Sequence, residues 1–271
     1  MTSTDLTSAK MKQQPDIQVV GMECGNDILQ HMAVVTPDTL LVANNTNKCV
    51  LLVDSRKGGV LSEVQLQGGP GRMCLTDRNT AAVGVGKEKI QMIHVKDKTL
   101  TLCRVLTVRE GRCGITCRGN TLVVSYCKPP WLEVISLEGK ILYQFHTTWK
   151  TQHFKRPWFI CTTPDETILI SDSYTNTITK VDESLNILQT FTSPLLQMPH
   201  DITAVTEDQI LVCSNYNNSL LLLKPSTNTM STLLGEDDGI KHPNSLAYCP
   251  DQKKLFIVSD YTNTIKVYQI T

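Results

Sequence analysis

Short apolar runs rich in Val, Ile, Leu and Thr, separated by clusters of Asn, Asp, Gly, Ser and Pro, follow one another along almost the whole chain. Each run is too short for a helix, and none carries the 3.6-residue period of an amphipathic one, so the pattern predicts β-strands joined by tight turns. Three polar phrases between such runs are nearly identical: SDSYTNTI ending at Ile178, SNYNNSL ending at Leu220 and SDYTNTI ending at Ile265. Each reads as the turn of a hairpin.

Weaker copies extend the series upstream. The apolar residue after the turn falls at Val50, Ile90, Leu132, Ile178, Leu220 and Ile265, and the strand before each hairpin ends at Thr36, Thr76, Cys117, Thr163, Val205 and Cys249. Two columns in phase, each repeating every forty-odd residues, define six units. A third column, Pro70, Pro157, Pro199 and Pro243, marks where a connector feeds a sheet, a position that suits a residue with fixed φ and no N–H. Four short antiparallel strands per unit cannot bury both faces of one small sheet, so the units must stack around an axis. The expected fold is all-β: a six-bladed β-propeller of four-stranded antiparallel blades over residues 15–271.

The sixth unit stops at Thr271 one strand short, while Asp16 to Val20 forms an extra strand ahead of the first unit. That strand is expected to complete the last blade and close the ring, removing exposed sheet edges. Residues 1–14 are polar and read as a flexible tail or the remnant of an upstream linker.

Twenty-six basic and twenty-six acidic residues leave no net charge, so any attraction to nucleic acid has to be local. No apolar run approaches the ~20 residues that span a bilayer, and the first residues carry no signal-peptide core. A cytoplasmic chain with no membrane partner is expected, monomeric as an isolated domain. The ten cysteines include no Cys-x-x-Cys pair, and Cys74, Cys117, Cys161 and Cys249 occupy strand columns otherwise filled by small residues. They are read as reduced core thiols, because packed sheets stand ~10 Å apart and equivalent cysteines on adjacent blades are then beyond the ~7 Å disulfide limit, with no metal or other cofactor.

The residues of blades four to six resemble NHL repeats: Pro157 to Ile160, Ile168 to Asp172 and Asn176; Pro199 to Ile202 and Asn218; Pro243 to Leu246 and Asn263. Blades two and three depart from the pattern at Gly84-Val85-Gly86 and at Tyr126 to Pro130. NHL-type propellers often form the C-terminal domain of tripartite-motif proteins. The resemblance therefore implies a non-catalytic module that recognises a substrate protein or RNA, while ubiquitin transfer belongs to a RING domain that this sequence does not contain.

Strand alternation places the turn between strands two and three on the same face as the connector to the next blade. That face carries Tyr174, Tyr216 and Tyr261 in equivalent turns, whose Asn residues are expected to bond their own backbone. Lys128, Trp131, Trp149, Lys150, Lys155 and Arg156 gather around the passage from blade three to blade four, while Trp158, after its proline, reads as core. Aromatics among basic residues suit a protein or peptide partner and equally suit single-stranded RNA. The acidic Glu236, Asp237 and Asp238 on the same face tilt the reading to a protein or peptide, with RNA as the alternative. A third reading is a metal-dependent hydrolase or lyase using His31, His200, Asp201 and Asn244 at the starts of the first strands. No nucleophile elbow or phosphate loop is present, so no catalytic residue is assigned.

Overall fold

The computed structural model describes residues 5–19, 28–146 and 154–271. Twenty-four strands form six separate four-stranded antiparallel sheets. The first strands of successive blades, Leu29–Thr36, Pro70–Asp77, Arg112–Arg118, Pro157–Thr162, Pro199–Thr206 and Pro243–Cys249, touch one another around the ring and line its axis. This is the six-bladed propeller, and all four column prolines open their inner strands.

The hydrophobic core is six layers, one between each pair of neighbouring blades. Second strands are therefore covered on both faces: every residue of Thr39–Asn44 and of Gln209–Ser214 is buried. Outer strands have one wet face, and Val60–Gln65 alternates between half-buried and exposed. This difference explains why the middle strands read as continuous apolar runs and the outer ones as alternating sequence.

The latch forms as expected but starts earlier. It spans Met11–Gln18 and pairs antiparallel with Thr264–Ile270, from Met11 opposite Ile270 to Gln18 opposite Thr264. The ladder slips between Gln14 and Ile17, where Pro15 has no N–H to give. Residues 11–14, assigned to a tail from their polarity, belong to this outer strand, and an outer strand needs few apolar residues. Ahead of it Leu6 is fully buried in the layer between blades five and six, its N–H donating to Gln209 Oε1 at 2.6 Å. Val20, the last residue of the expected strand, lies outside the described residues.

The repeat motif has a different use from the one its turn chemistry suggests. Asn176 and Asn218 sit at positive φ, as expected in a tight turn. Their side chains bond the next blade instead of their own turn. Asn176 Oδ1 accepts the N–H of Met198 and Asn218 Oδ1 that of His242, each at 2.8 Å and each just ahead of a column proline. Asn45 and Asn215 reach the carbonyls of Pro70 and Pro243 in the same way, at 2.9 and 3.3 Å. The polar phrase is a staple between blades.

The reading of all cysteines as free thiols is corrected at one place. Cys113 and Cys127 form a disulfide within blade three, with a Cα separation of 6.3 Å. The spacing argument against disulfides applies to cysteines on neighbouring blades, whereas these two lie on adjacent strands of one sheet, within reach of each other. Cys49, Cys74, Cys103, Cys117, Cys161, Cys213 and Cys249 form no disulfide. Burial pushes the Cys74 and Cys161 thiols up, which keeps them protonated and inert. Among the described residues, no helix is long and apolar enough to cross a membrane.

Candidate functional site

The connector face is not level. Between strands two and three, blades one, four and five carry four-residue turns, from Asn45 to Lys48, Ser173 to Asn176 and Asn215 to Asn218. Blade two has three residues, Gly86 to Glu88, and blade three has only Lys128-Pro129. Where the rim is lowest, a groove of about 550 Å³ opens between blades three and four, and a recess of about 190 Å³ opens beside it at the mouth of the axial channel.

Lys128, Lys155, Arg156 and Tyr174 of the expected site line the groove together with Arg112, Trp158 and the Cys113–Cys127 pair. Trp158, read from the sequence as core, is half-buried. It stacks on the ring of His200 at 6.4 Å and 8°, and the Arg156 guanidinium lies 3.5 Å from its centroid. Lys155 Nζ lies 4.9 Å from the ring of Tyr174. The side chains take these positions because their backbone is pinned. Asp172, fully buried at the end of strand two of blade four, accepts the N–H groups of Lys155 and Arg156 on one oxygen (2.6 and 2.9 Å). Its other oxygen accepts those of Tyr174 and Thr175 (3.0 and 3.1 Å). One carboxylate thus ties connector to turn and is saturated by doing so. Burial depresses the Arg156 pKa and Asp172 pulls it back.

Among the described residues no carboxylate forms an ion pair with Lys128, Lys155, Arg156 or Arg112. The groove therefore presents four cations that have no anionic partner. Trp131 does not line it. Its ring packs edge-on to Tyr126 at 5.5 Å and under the Arg109 guanidinium at 4.7 Å, inside blade three. Tyr216 and Tyr261 occupy equivalent turns of blades five and six, 69% and 85% exposed, on the same face but away from the groove. Trp149 and Lys150 lie outside the described residues.

The channel mouth brings together the polar residues noted at the inner strand starts. Every inner strand is bulged at its first residues, as between Pro199 and Ile202 and between Arg112 and Ile115, and such bulges re-aim side chains toward the axis. His31 Nδ1 accepts the N–H of Met73 at 3.3 Å, which leaves Nε2 to face Asp201 Oδ2 at 3.2 Å. The same Asp201 oxygen accepts Ser245 Oγ–H and Leu246 N–H, at 2.9 and 3.0 Å. His200 Nδ1 meets Asn244 Oδ1 at 3.1 Å. Burial, then the charge of Arg72, lowers the His200 pKa to about 4, so it is neutral near pH 7. Among the described residues no three His, Cys, Asp or Glu side chains are placed to hold one metal ion.

Arg72, Arg112 and the role of Trp158 escaped the sequence reading. The only visible signal was the glycine-rich departure at Gly84-Val85-Gly86.

No family model matches the chain, and no curated protein matches it in sequence. Solved structures are similar in fold. A protein of unknown function from Bacteroides thetaiotaomicron aligns with a TM-score of 0.74 at 11% identity, over 97% of this chain and 76% of that one. Streptogramin B lyase aligns with a TM-score of 0.67 at 12% identity, over 99% and 100%. The β-propeller domain of Cps50 (Swd1) from Myceliophteria thermophila aligns with a TM-score of 0.65 at 14% identity, over 90% and 84%.

Proposed function

We propose that this chain is a non-catalytic recognition module that binds an acidic peptide segment of a protein partner in the groove between blades three and four. The observation that carries the reading is the pairing of ring and cation. Trp158 stacks with His200 and has the Arg156 guanidinium 3.5 Å from its centroid, so its ring is already engaged by side chains where a nucleobase would stack. A guanidinium lying flat on an indole keeps its N–H fork at the edge, free to meet a carboxylate. Four cations with no anionic partner, set in a groove of about 550 Å³, suit a chain of side-chain carboxylates better than a base-stacking ligand. The NHL-like motifs of blades four to six support placing the module as the substrate-recognition domain of a tripartite-motif ubiquitin ligase.

The test is fluorescence anisotropy with a labelled Glu-rich dodecapeptide, its Gln-substituted counterpart and a dodecamer of uridylate. The acidic peptide should bind, the Gln peptide should not, and the Lys155→Ala/Arg156→Ala double variant should weaken the acidic peptide by roughly tenfold or more. Tighter, strongly salt-dependent binding of the uridylate, lost in the same variant, would replace this reading with the RNA one.

A further inference from the structure

The geometry points to a seat for a single oxyanion group, carboxylate or phosphate, between Arg72 and Arg112 at the mouth of the axial channel. It rests on the reading above, and assigns where the most deeply bound acidic group of the partner goes.

Both arginines line the recess of about 190 Å³ between blades two and three, far more than the ~10–15 Å³ that admits one water. Neither has a carboxylate partner among the described residues. Arg72, 7% exposed, is held by neutral acceptors only: Gln30 O at 2.5 Å and Asn244 Oδ1 at 3.4 Å, with the Phe159 ring centroid 3.6 Å from its Cζ. Asp201 and then Asp260 offset part of the Arg72 charge through space, but neither forms an ion pair with it: Asp201 Oδ2 is engaged by His31, Ser245 and Leu246, and Asp260 Oδ2 by Asn215. Arg112 donates once, to Gly86 O at 3.1 Å, and its Nε is sealed from solvent with no partner. Burial lowers both guanidinium pKa values to about 10, so both remain charged at neutral pH, and the charge of Arg112 adds to the depression at Arg72.

Arg112 is half-buried and has no ion-paired carboxylate among the described residues, and a partly desolvated cation without a direct counter-ion is costly unless something offsets the cost. The sequence makes room for the arrangement on purpose-built backbone. A Cβ on Gly84 would lie 1.8 Å from Arg112 Nη1 and 2.0 Å from its Cζ, so only glycine allows the guanidinium to lie there. A Cβ on Gly71 would stand 3.8 Å from both Arg112 Nη atoms, so the glycine leaves that side of the guanidinium uncovered. Both arginines line the one recess, and guanidinium groups supply the N–H donors that carboxylate and phosphate accept. Arg112, Cys113 and Trp158 line both recess and groove, which makes the two continuous.

The probes are inorganic phosphate and glutarate, against chloride at matched ionic strength, read by thermal unfolding and by titration calorimetry on the full chain. Wild type should show a saturable rise in melting temperature with at least one probe. A response to phosphate alone identifies a phosphoryl group, and a response to glutarate a carboxylate. Arg112→Gln and Gly84→Ala should each weaken that binding roughly tenfold or more. Arg104→Gln, which removes a charge on the outer strand of blade two, should not. In the absence of anion, Arg112→Gln should melt higher than wild type, because it removes a half-buried charge whose Nε is sealed without a partner; a purely structural arginine would melt lower. Arg112→Lys, which keeps charge but loses the fork, should recover only part of the binding should Gly84→Ala prove unstable. No saturable response in wild type, or an equal one in Arg112→Gln, overturns the seat. Acidic-peptide binding that depends on Lys155 and Arg156 without any anion response sinks the seat alone. An anion response lost in Arg112→Gln without peptide binding keeps the seat and sinks the groove reading.

Discussion

Blade five and blade three are the same unit built to two purposes. In blade five the second strand, Gln209–Ser214, and the third, Ser219–Lys224, close over a four-residue turn, and the position after the column residue Leu220 is Leu221, fully buried. In blade three the turn shrinks to Lys128-Pro129, and the position after Leu132 is Glu133, 1% exposed. That carboxylate accepts from Tyr126 Oη at 2.7 Å, Gln144 Nε2 at 2.7 Å and Arg109 Nε at 2.9 Å. Burial and the Glu133 bond push the Tyr126 hydroxyl up, so it remains a donor. The regular blade is held by apolar packing and an Asn staple. The irregular one keeps its apolar layers but replaces the Asn staple with a polar network, a disulfide and a lowered rim, and the groove and the recess of the connector face lie beside it. Departure from the repeat marks where the fold serves something other than its own closure.

The sharpest way to break this contrast is to make blade three resemble blade five. Glu133→Leu should destabilise the chain by about 3 kcal/mol, because it leaves the buried Tyr126 hydroxyl and the half-buried Gln144 amide without their acceptor, measured by urea unfolding. A neutral outcome would mean that blade three is packed like the others. Next in size is the pH response of the mouth. His200 titrates at about 4 in the folded chain against about 6.5 unfolded, so the unfolded state binds more protons between those values. Its contribution is complete above pH 6.5 and is lost as pH falls toward 4, by up to about 3 kcal/mol. His200→Asn should flatten that part of the stability profile; an unchanged slope would remove His200 from the buried set. Smallest is the staple of the regular blade. Asn218→Gly keeps the positive φ but loses the bonds to His242 N–H and to Glu236, and should cost about 1 kcal/mol. Thermal melts that show no loss would return Asn218 to a plain turn residue.

Much of the architecture was legible because it repeats. Leu132, Leu220 and Ile265 are each second or third in their strands, and Pro70 and Pro199 open theirs, since burial on both faces dictates apolar runs and connectors dictate proline. The groove was half legible: Lys155, Arg156 and Tyr174 stood out by type and spacing, but the pinning of two of them by Asp172 across sixteen and seventeen residues depends on the turn and connector meeting in space. The disulfide was missed because an argument from blade spacing does not cover two strands of one sheet. Arg112 was missed because nothing in a single arginine reports whether a counter-charge waits beside it.

Periodicity alone determined that six small sheets stand in a ring and that a leading strand closes it, because a four-stranded sheet has two apolar faces and only neighbours of its own kind to cover them. Which side chains meet at the axis and on the connector face was decided by the tertiary structure. Bulges at the inner strand starts, turn lengths that differ between blades and a glycine that leaves space for a guanidinium act between residues of different blades, and contacts of that kind leave no periodic trace in the chain.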